Sequence, residues 1–355
     1  MILRSFLGAG LEEMDIEANM VVFFSVIFLA LGLFLFARGP RPRLLVSDIE
    51  TSLPKNTPLR DLDSWLNLNE KKHKVIDGTE AKIEWAGNLM QKRDLSVLYI
   101  HGFSASRQEI SPTVSVIAEK LGANAVYARL AGHGLKENVM EAAAEEWLKS
   151  ALDSWEIAAQ IGQNVIIIAT STGAPISVWL ASELNRAKKT KGLIFVSPNF
   201  KIRLPVGFLL TLPYAYHWIK WLLGSQRTWT PENSNVAKYW TSSYSTRALI
   251  EMQKVVDWAR EFVPTFDLPL LTFYVKNDPT INHQSAISYH NSWPSSHKKL
   301  VSVTSSGGAP KHIFVGDISG PEKNDWFVNM CFEFLGKVPD QQNVRENKSF
   351  LSNGQ

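Results

Sequence analysis

Three residues far apart in the chain have the side chains that nucleophilic catalysis requires: Ser171, Asp278 and His312. A serine hydroxyl becomes an effective nucleophile when a histidine takes its proton and a carboxylate orients that histidine. Each of the three follows, directly or through a short loop, an apolar run that is typical of a buried strand. Because the carboxyl ends of parallel strands lie at one edge of a sheet, this pattern predicts that the three side chains meet there.

The surroundings of Ser171 indicate a junction between a strand and a helix. An apolar run (165–169) precedes it, a helical pattern (174–184) follows it, and Ala169 and Gly173, two positions to either side, are small. Such a tight turn strains the backbone of the serine and lifts its hydroxyl above the helix N-terminus, whose dipole favours developing negative charge. An ordinary N-cap serine is the alternative interpretation of the same junction.

The order of residues along the chain selects the acid and the base. Asp278 directly follows the apolar run 268–275, whereas Asp267 precedes that run and Asp317 follows the histidine. His312 comes after the last strand pattern, in a loop that can reach back over the serine. The other histidines after the acid lie too close to it or before the last strand: His283, His290 and His297.

Strand patterns alternate with helical patterns through most of the chain. A hairpin is predicted from 74–76 and 82–85, which flank an Asp-Gly turn. Six apolar runs follow: 95–100, 123–128, 165–169, 192–196, 268–275 and 300–303. Crossover segments before the last five predict an α/β fold with a mostly parallel sheet and helices on both faces. The interval 201–263 is too long for a crossover and predicts an inserted cap.

The first residues of the chain predict a membrane anchor. Residues 20–37 carry no charge and form about 27 Å of helix, close to the hydrocarbon thickness of a bilayer. Acidic residues precede this run and arginines follow it. A retained single-pass transmembrane helix is therefore predicted, rather than a cleaved signal peptide or a core helix. The arginines place the catalytic domain on the cytoplasmic side, with a bacterial inner membrane as the expected location.

These patterns divide the chain into five parts. The predicted boundaries are an N-terminal segment (1–19), the transmembrane helix (20–37), a linker (38–72), the catalytic domain (73–337) with its cap at about 201–263, and a disordered tail (338–355).

Five motifs in this order resemble the α/β-hydrolase superfamily, and most closely its branch of monoacylglycerol lipases, carboxylesterases and serine aminopeptidase-like enzymes. The segment HGFSAS (101–106) is similar to the oxyanion-loop motif of the family, LAGHG (130–134) to its L-x-GHG motif, and ATSTG (169–173) to its nucleophile elbow. Asp278 and His312 match the acid and the base. The resemblance covers about 74–335, and the departure is an alanine at 169, where the family has glycine.

The resemblance implies the α/β-hydrolase fold and a carboxylic ester hydrolase that works through an acyl-enzyme on Ser171. It also implies an oxyanion hole formed by the backbone N–H groups of Phe103 and Thr172, and it implies no metal and no organic cofactor. The apolar start of the cap predicts a lipid-like acyl ester as the small-molecule substrate. The candidate substrate contacts are His101, Phe208, Trp218 and Trp221.

Two alternatives remain open at this point. A serine peptidase or amidase would use the same triad, with Glu232 and Glu251 as candidate amine binders in the cap. A membrane-tethered binding protein would have lost catalysis.

The net charge of +3 with scattered basic residues argues against a nucleic-acid surface. A single cysteine, Cys331, excludes an internal disulfide. Membrane lipid is the second predicted partner, and the oligomeric state is not predicted.

Overall fold

A computed structural model describes residues 2–87, 89–304 and 309–338, with the backbone alone for residues 2–19 and 206. The predicted tail therefore lies outside the described residues, apart from Val338. The helices are α1 (Ile2–Ala37), α2 (Leu62–Glu70), α3 (Thr113–Lys120), α4 (Ala144–Ile161), α5 (Gly173–Ser182), α6 (Leu184–Lys189), α7 (Ala215–Leu223), α8 (Ser234–Tyr239), α9 (Thr246–Glu261), α10 (His283–Ser292) and α11 (Asn324–Gly336).

Nine strands form two sheets within the described residues. The strands are β1 (Lys82–Glu84), β2 (Arg93–Ile100), β3 (Asn124–Tyr127), β4 (Gly162–Thr170), β5 (Thr190–Val196), β6 (Gln226–Thr228), β7 (Ser243–Ser245), β8 (Leu270–Val275) and β9 (Lys298–Val303). The main sheet has the order β1-β3-β2-β4-β5-β8-β9, and every pair in it is parallel except β1 with β3. The predicted mostly parallel sheet is confirmed.

Both faces of the main sheet are covered by helices, as its apolar strands require. Side chains that alternate along β2 and β4 divide between two clusters. Leu98 and Ile167 pack with α4, α5 and α9 on one face, while Val97 and Ile168 pack with α3 and α11 on the other. A fully buried Leu or Ile contributes about 1.5–3 kcal/mol relative to an exposed one. Strand β4 is fixed between β2 and β5, near the centre of the sheet.

Two local predictions are wrong. The expected hairpin does not form, because β1 pairs with β3, and Val75 forms an isolated bridge with Leu135. The Thr79 hydroxyl donates to the carbonyl groups of Ile76 and Gly134, which turns the chain away from a two-stranded ribbon. The expected linker over 38–72 contains α2, and four of its leucines, spread along the segment, pack into the core: Leu44, Leu53, Leu62 and Leu66.

Helix α1 is continuous, and its segment Met20–Ala37 is long and apolar enough to cross a membrane. None of this segment is buried inside the protein. Packing against the rest of the chain therefore does not account for its apolar side chains. A membrane anchor and a signal sequence share these properties.

Residues 201–263, called the cap here, lie between β5 and β8. They contain a 3₁₀ turn (Pro205–Thr211), α7, α8, α9 and the antiparallel pair β6–β7. A small apolar cluster joins α7 to α9: Leu210, Ala215, Ile219 and Ile250. On its other side α9 packs into the main core beside α5 through Met252 and Val255. The cap is thus held at the edge of the sheet where the predicted site residues lie.

Candidate active site

Ser171 stands at the turn between β4 and α5. Its φ is +50°, in the left-handed region that non-glycine residues rarely adopt. The Ser171 N–H donates to Val196 O (2.9 Å), and Ser171 O accepts from Asn199 N (3.0 Å), so the turn is fixed by β5 and the loop after it. A Cβ at Gly173 would collide with the carbonyl oxygen of Ile100. The turn therefore requires glycine two residues after the serine.

The small residue before the turn, Ala169, is explained by packing within the sheet. Ala169 is fully buried in β4, where it is paired with Ile100 on one side and Phe195 on the other. Its methyl group is accommodated in the packed face of the sheet. The alanine that departs from the family's glycine is thus compatible with the left-handed turn at Ser171.

Asp278 and His312 form a hydrogen-bonded pair. Asp278 follows β8 and His312 follows β9, and the distance between His312 Nδ1 and Asp278 Oδ2 is 2.8 Å. The other carboxylate oxygen, Oδ1, accepts from the backbone N–H groups of Thr280 (2.7 Å) and Ile281 (3.0 Å). Burial raises the pKa of Asp278, but the hydrogen bond and charge of His312 and the two amides outweigh it and lower the pKa below its ordinary value. Asp278 is therefore ionised at neutral pH and orients the ring of His312.

The second ring nitrogen of His312 is available. Nε2 is buried and has no hydrogen-bond partner among the described residues. The backbone of His312 is held from below, because the Ser197 hydroxyl donates to His312 O (2.7 Å). Ser197 itself has a φ of +45° and follows directly on β5. The structure thus brings Asp278 and His312 to the carboxyl edge of the sheet that also presents Ser171.

Two backbone N–H groups beside Ser171 donate no hydrogen bond within the described part of the chain: those of Phe103 and Thr172. Thr172 follows the serine directly. The loop that carries Phe103 lies against the serine, because a Cβ at Gly102 would be 3.1 Å from Ser171 Cβ. Preorganised, unpaired N–H groups in this position are the donors that stabilise an oxyanion.

The ring of Phe103 is fixed by an aromatic cluster. It packs edge-on against Tyr244 of the cap, with 5.1 Å between ring centroids, and also contacts the rings of His133 and Trp147. The cap contacts the same loop through its backbone, since Thr241 N donates to Ser104 O (2.7 Å). The cap thus covers the loop that carries the candidate oxyanion donor Phe103.

The structure does not support substrate contact by His101. Its ring is fully buried, with Nδ1 beside Gly102 O (2.9 Å), while Nε2 accepts from Leu130 N (3.1 Å). Burial lowers the pKa of His101 to about 4, although Gly102 O raises it, and Arg129 lowers it further. The ring is therefore neutral and joins the HGFSAS loop to the LAGHG loop, and both of its nitrogens are already occupied.

The aromatic residues predicted as substrate contacts do not form one wall beside Ser171. The side chains of Phe208 and Trp221 are 61% and 81% exposed. Trp218 is half-buried, and its indole N–H donates to Pro213 O (2.8 Å). A groove of about 430 Å³ in the cap is lined by α7 and α9 and does not include the three proposed catalytic residues.

Sequence reasoning missed four residues that support the site: Ser197 and Asn199, which hold the backbone of His312 and Ser171, and Tyr99 and Glu109. The Glu109 carboxyl group accepts hydrogen bonds from Gly102 N and from Tyr99 OH. Glu109 lies close after the HGFSAS segment, but a charged residue in a short polar loop usually indicates solvent exposure.

No metal-binding group of three or more His, Cys, Asp or Glu residues occurs within the described ranges. The buried thiol of Cys331 has a pKa raised well above its ordinary value by burial, and it packs in the core beside α3.

Comparison with known proteins identifies the family. The sequence profile of the hydrolase family described as serine aminopeptidase, S33, matches residues 91–305, which is more than half of the chain. No curated protein sequence matches the chain. Solved structures share its fold at low identity.

Three of these structures illustrate the likeness. A metagenome-derived lipolytic enzyme, from a study of LipS and LipT, has a TM-score of 0.59 at 17% identity and covers 74% of this chain and 99% of its own. A soluble variant of monoglyceride lipase from Saccharomyces cerevisiae has 0.57 at 12% identity, covering 74% and 92%. The monoacylglycerol lipase of Paleococcus ferrophilus has 0.55 at 14% identity, covering 73% and 98%. The chain therefore has the α/β-hydrolase fold and belongs to the serine aminopeptidase family of hydrolases.

Proposed function

We propose that the protein is a membrane-anchored serine hydrolase that cleaves carboxylic esters of lipid-like acyl chains. The observation that carries the proposal is the hydrogen-bonded pair of buried Asp278 and half-buried His312 at the sheet edge that also presents Ser171 in a left-handed turn. The family assignment supports hydrolysis as the reaction class. The choice of an ester and of an acyl-enzyme is our inference from the site.

In the proposed acylation step, Ser171 Oγ attacks the carbonyl carbon of the ester while His312 Nε2 takes the hydroxyl proton. The negative charge that forms on the carbonyl oxygen is stabilised by the N–H groups of Phe103 and Thr172. The carbon–oxygen bond to the alcohol then breaks, and His312 returns the proton to the leaving alkoxide. Asp278, ionised and hydrogen-bonded to Nδ1, stabilises the imidazolium between these two proton transfers.

In the proposed deacylation step, water attacks the acyl carbon of the ester on Ser171 and gives its proton to His312 Nε2. The same N–H groups stabilise the second oxyanion. The bond to Ser171 Oγ breaks, the serine regains a proton from the histidine, and the carboxylic acid leaves. His312 is the one residue that has to accept and return protons from Ser171, water and the leaving group in this scheme.

The second candidate, a peptidase acting at a free amino terminus, is favoured by the description of the family. Such an enzyme needs a carboxylate free to bind the amine. Glu251, one of the two predicted amine binders, is buried, and its oxygens accept from Tyr216 OH (2.6 Å), Lys254 Nζ (2.8 Å) and Ala144 N (2.9 Å). Glu232, the other, is exposed. Because Glu251 is already fully engaged, it is not free to bind an amine, and a peptidase would have to use Glu232 alone.

The position of the cap supports a lipid-like substrate. The cap contacts the end of α1, because Tyr214 N donates to Pro40 O (2.8 Å) and its ring lies 6.1 Å from that of Phe36. Tyr214 directly precedes α7, and large apolar side chains of the cap near it are exposed: Leu204, Phe208, Tyr216, Trp221 and Leu222. If α1 spans a bilayer, this surface lies at the membrane, where amphiphilic esters are concentrated. Monoacylglycerols are esters of this kind, and lipases for them share the fold.

The test is a comparison of matched esters and amides with the full-length protein in detergent. We expect p-nitrophenyl esters to be cleaved and the p-nitroanilides of the same acyl groups to react at least a hundredfold more slowly. We also expect kcat/KM to rise with acyl length from two to eight carbons, because each buried methylene contributes up to about 0.8 kcal/mol. Faster cleavage of aminoacyl anilides than of any ester would contradict the proposal and favour the peptidase.

A further inference from the structure

A second carboxyl group, that of Glu109, lies beneath the candidate oxyanion loop. Glu109 is in a 3₁₀ turn (Arg107–Ile110) that follows this loop, and it is only 2% exposed. Its Oε2 accepts from Gly102 N (2.8 Å) and from Tyr99 OH (2.9 Å). The Tyr99 hydroxyl also contacts Thr170 Oγ1 (3.0 Å), at the end of β4 directly before the serine. One carboxyl group therefore links the oxyanion loop to the strands on which the site is built.

Burial of this carboxyl group is not compensated by a cation. No lysine or arginine forms an ion pair with Glu109 in the described ranges, and Arg107 on the same turn binds Glu80 instead (3.0 Å). Burial raises the pKa of Glu109 to about 7, while Gly102 N–H, Tyr99 OH and the charge of His312 lower it. An ionisable group buried without a counter-ion destabilises a fold, and such groups concentrate at functional sites.

The groups that face Glu109 come from two neighbouring elements. Tyr99 contacts it from β2, and the charge of His312, in the loop after β9, lowers the pKa of Glu109. The other charged groups of that loop are directed elsewhere, since the Lys311 amine donates to Ser319 O and the Asp317 carboxylate accepts from Asn324. Tyr99 is fully buried, and burial together with Glu109 raises its pKa, so it remains protonated.

We propose that Glu109 is a positioning residue for hydrolysis, which acts in its ionised form. Its carboxylate fixes the peptide group at Gly102, and through it the adjacent N–H of Phe103 that donates to the oxyanion. Its negative charge also favours the positive charge that appears on His312 when this residue takes the serine proton. The inference rests on the proposed function, because it assigns Glu109 a role in the same reaction.

The consequence is a distinctive dependence on pH. Below about pH 7 Glu109 takes up a proton and loses the charge on which both effects depend. Protonation of Glu109 therefore adds to the ordinary acid limb of a reaction that depends on a general base, and the acid limb of log kcat/KM is steeper than one proton produces. A residue needed only for folding would scale the whole profile down without changing its shape.

The experiment uses the full-length protein in detergent with p-nitrophenyl butyrate, from pH 5 to pH 9. In Glu109→Gln, which keeps the size of the side chain and one acceptor oxygen, we expect kcat to fall tenfold to a hundredfold at pH 8 with little change in KM. The acid limb should be reduced to a slope of one. Tyr99→Phe removes a hydrogen bond that lowers the pKa of Glu109, so its acid limb should move to higher pH.

The outcomes separate the inference from the function. A wild-type kcat and an unchanged slope in Glu109→Gln would overturn the role of Glu109 alone. If Glu109→Gln does not fold, an acid limb that stays in place in Tyr99→Phe would overturn that role as well. Activity that survives Ser171→Ala would overturn the proposed function and this inference with it.

Discussion

Ionisation of Glu109 should destabilise the folded protein, and this effect can be measured apart from catalysis. Its pKa is raised from 4.5 to about 7 by burial, so the folded state holds a proton that the unfolded state releases. The sign follows from this: the contribution of Glu109 to stability is fully present below pH 4.5 and is lost as the pH rises through 7. The difference corresponds to about 3 kcal/mol above pH 8.

The assay is urea unfolding of the full-length protein in one detergent at pH 5 and pH 8, followed by tryptophan fluorescence. Between these pH values the wild type should lose about 2–3 kcal/mol of unfolding free energy through Glu109, and Glu109→Gln should not lose it. Glutamine changes the hydrogen bonds equally at both pH values. The pH dependence of the difference in unfolding free energy between the wild type and Glu109→Gln therefore reports the charge of Glu109. Glu119→Gln, an exposed carboxyl group on α3, is the matched control. If Glu109→Gln and the wild type change in parallel, the reasoning is refuted.

Four further predictions concern the site, the cap and the membrane. Asp278→Asn should lower kcat for a short p-nitrophenyl ester about ten-thousandfold with little change in KM, because His312 loses its orienting carboxylate; a loss below tenfold would contradict the pairing. Gly173→Ala should destabilise the fold by about 1–3 kcal/mol in urea, because the added methyl group collides with a backbone carbonyl; equal stability would show that the turn is more tolerant. Trp221→Ser should reduce hydrolysis of esters embedded in vesicles but not of soluble butyrate esters, while Phe332→Ser, an exposed control on α11, should change neither; equal losses in both variants would argue against a membrane-facing cap. A C-terminal reporter active only outside the cytoplasm should stay inactive, because the arginines after α1 favour the inside; strong reporter signal would reverse the orientation.

The parallel strands could be predicted because each is a short run of apolar residues, which can be recognised without knowing what packs against it. The pairing of β1 could not, because its partner β3 is about forty residues away and the Asp-Gly turn suggested a nearer one. The packing of α2 could not be predicted from the sequence for a related reason. Its buried leucines, Leu62 and Leu66, stand in a short and mostly polar segment, and their burial depends on a core that distant elements build.

The residues proposed as the triad could be selected from sequence because each follows a strand at the same edge of the sheet. Glu109 could not be selected, because its burial depends on Tyr99 from β2 and on a loop folded over it. The aromatic residues of the cap show the opposite difficulty. Composition indicated an apolar segment, but the exposure of Trp221 and the inward contact of Trp218 depend on how α7 lies on α9.

The most direct test of the account is the site of covalent modification by a fluorophosphonate probe. Such probes react with a serine that a histidine has activated and that an oxyanion hole supports. After labelling of the full-length protein, intact mass and peptide mapping should show one adduct, on the peptide that contains Ser171. Ser171→Ala should show none, although it folds as the wild type does. An adduct on another residue, or labelling that persists in Ser171→Ala, would contradict the proposed nucleophile.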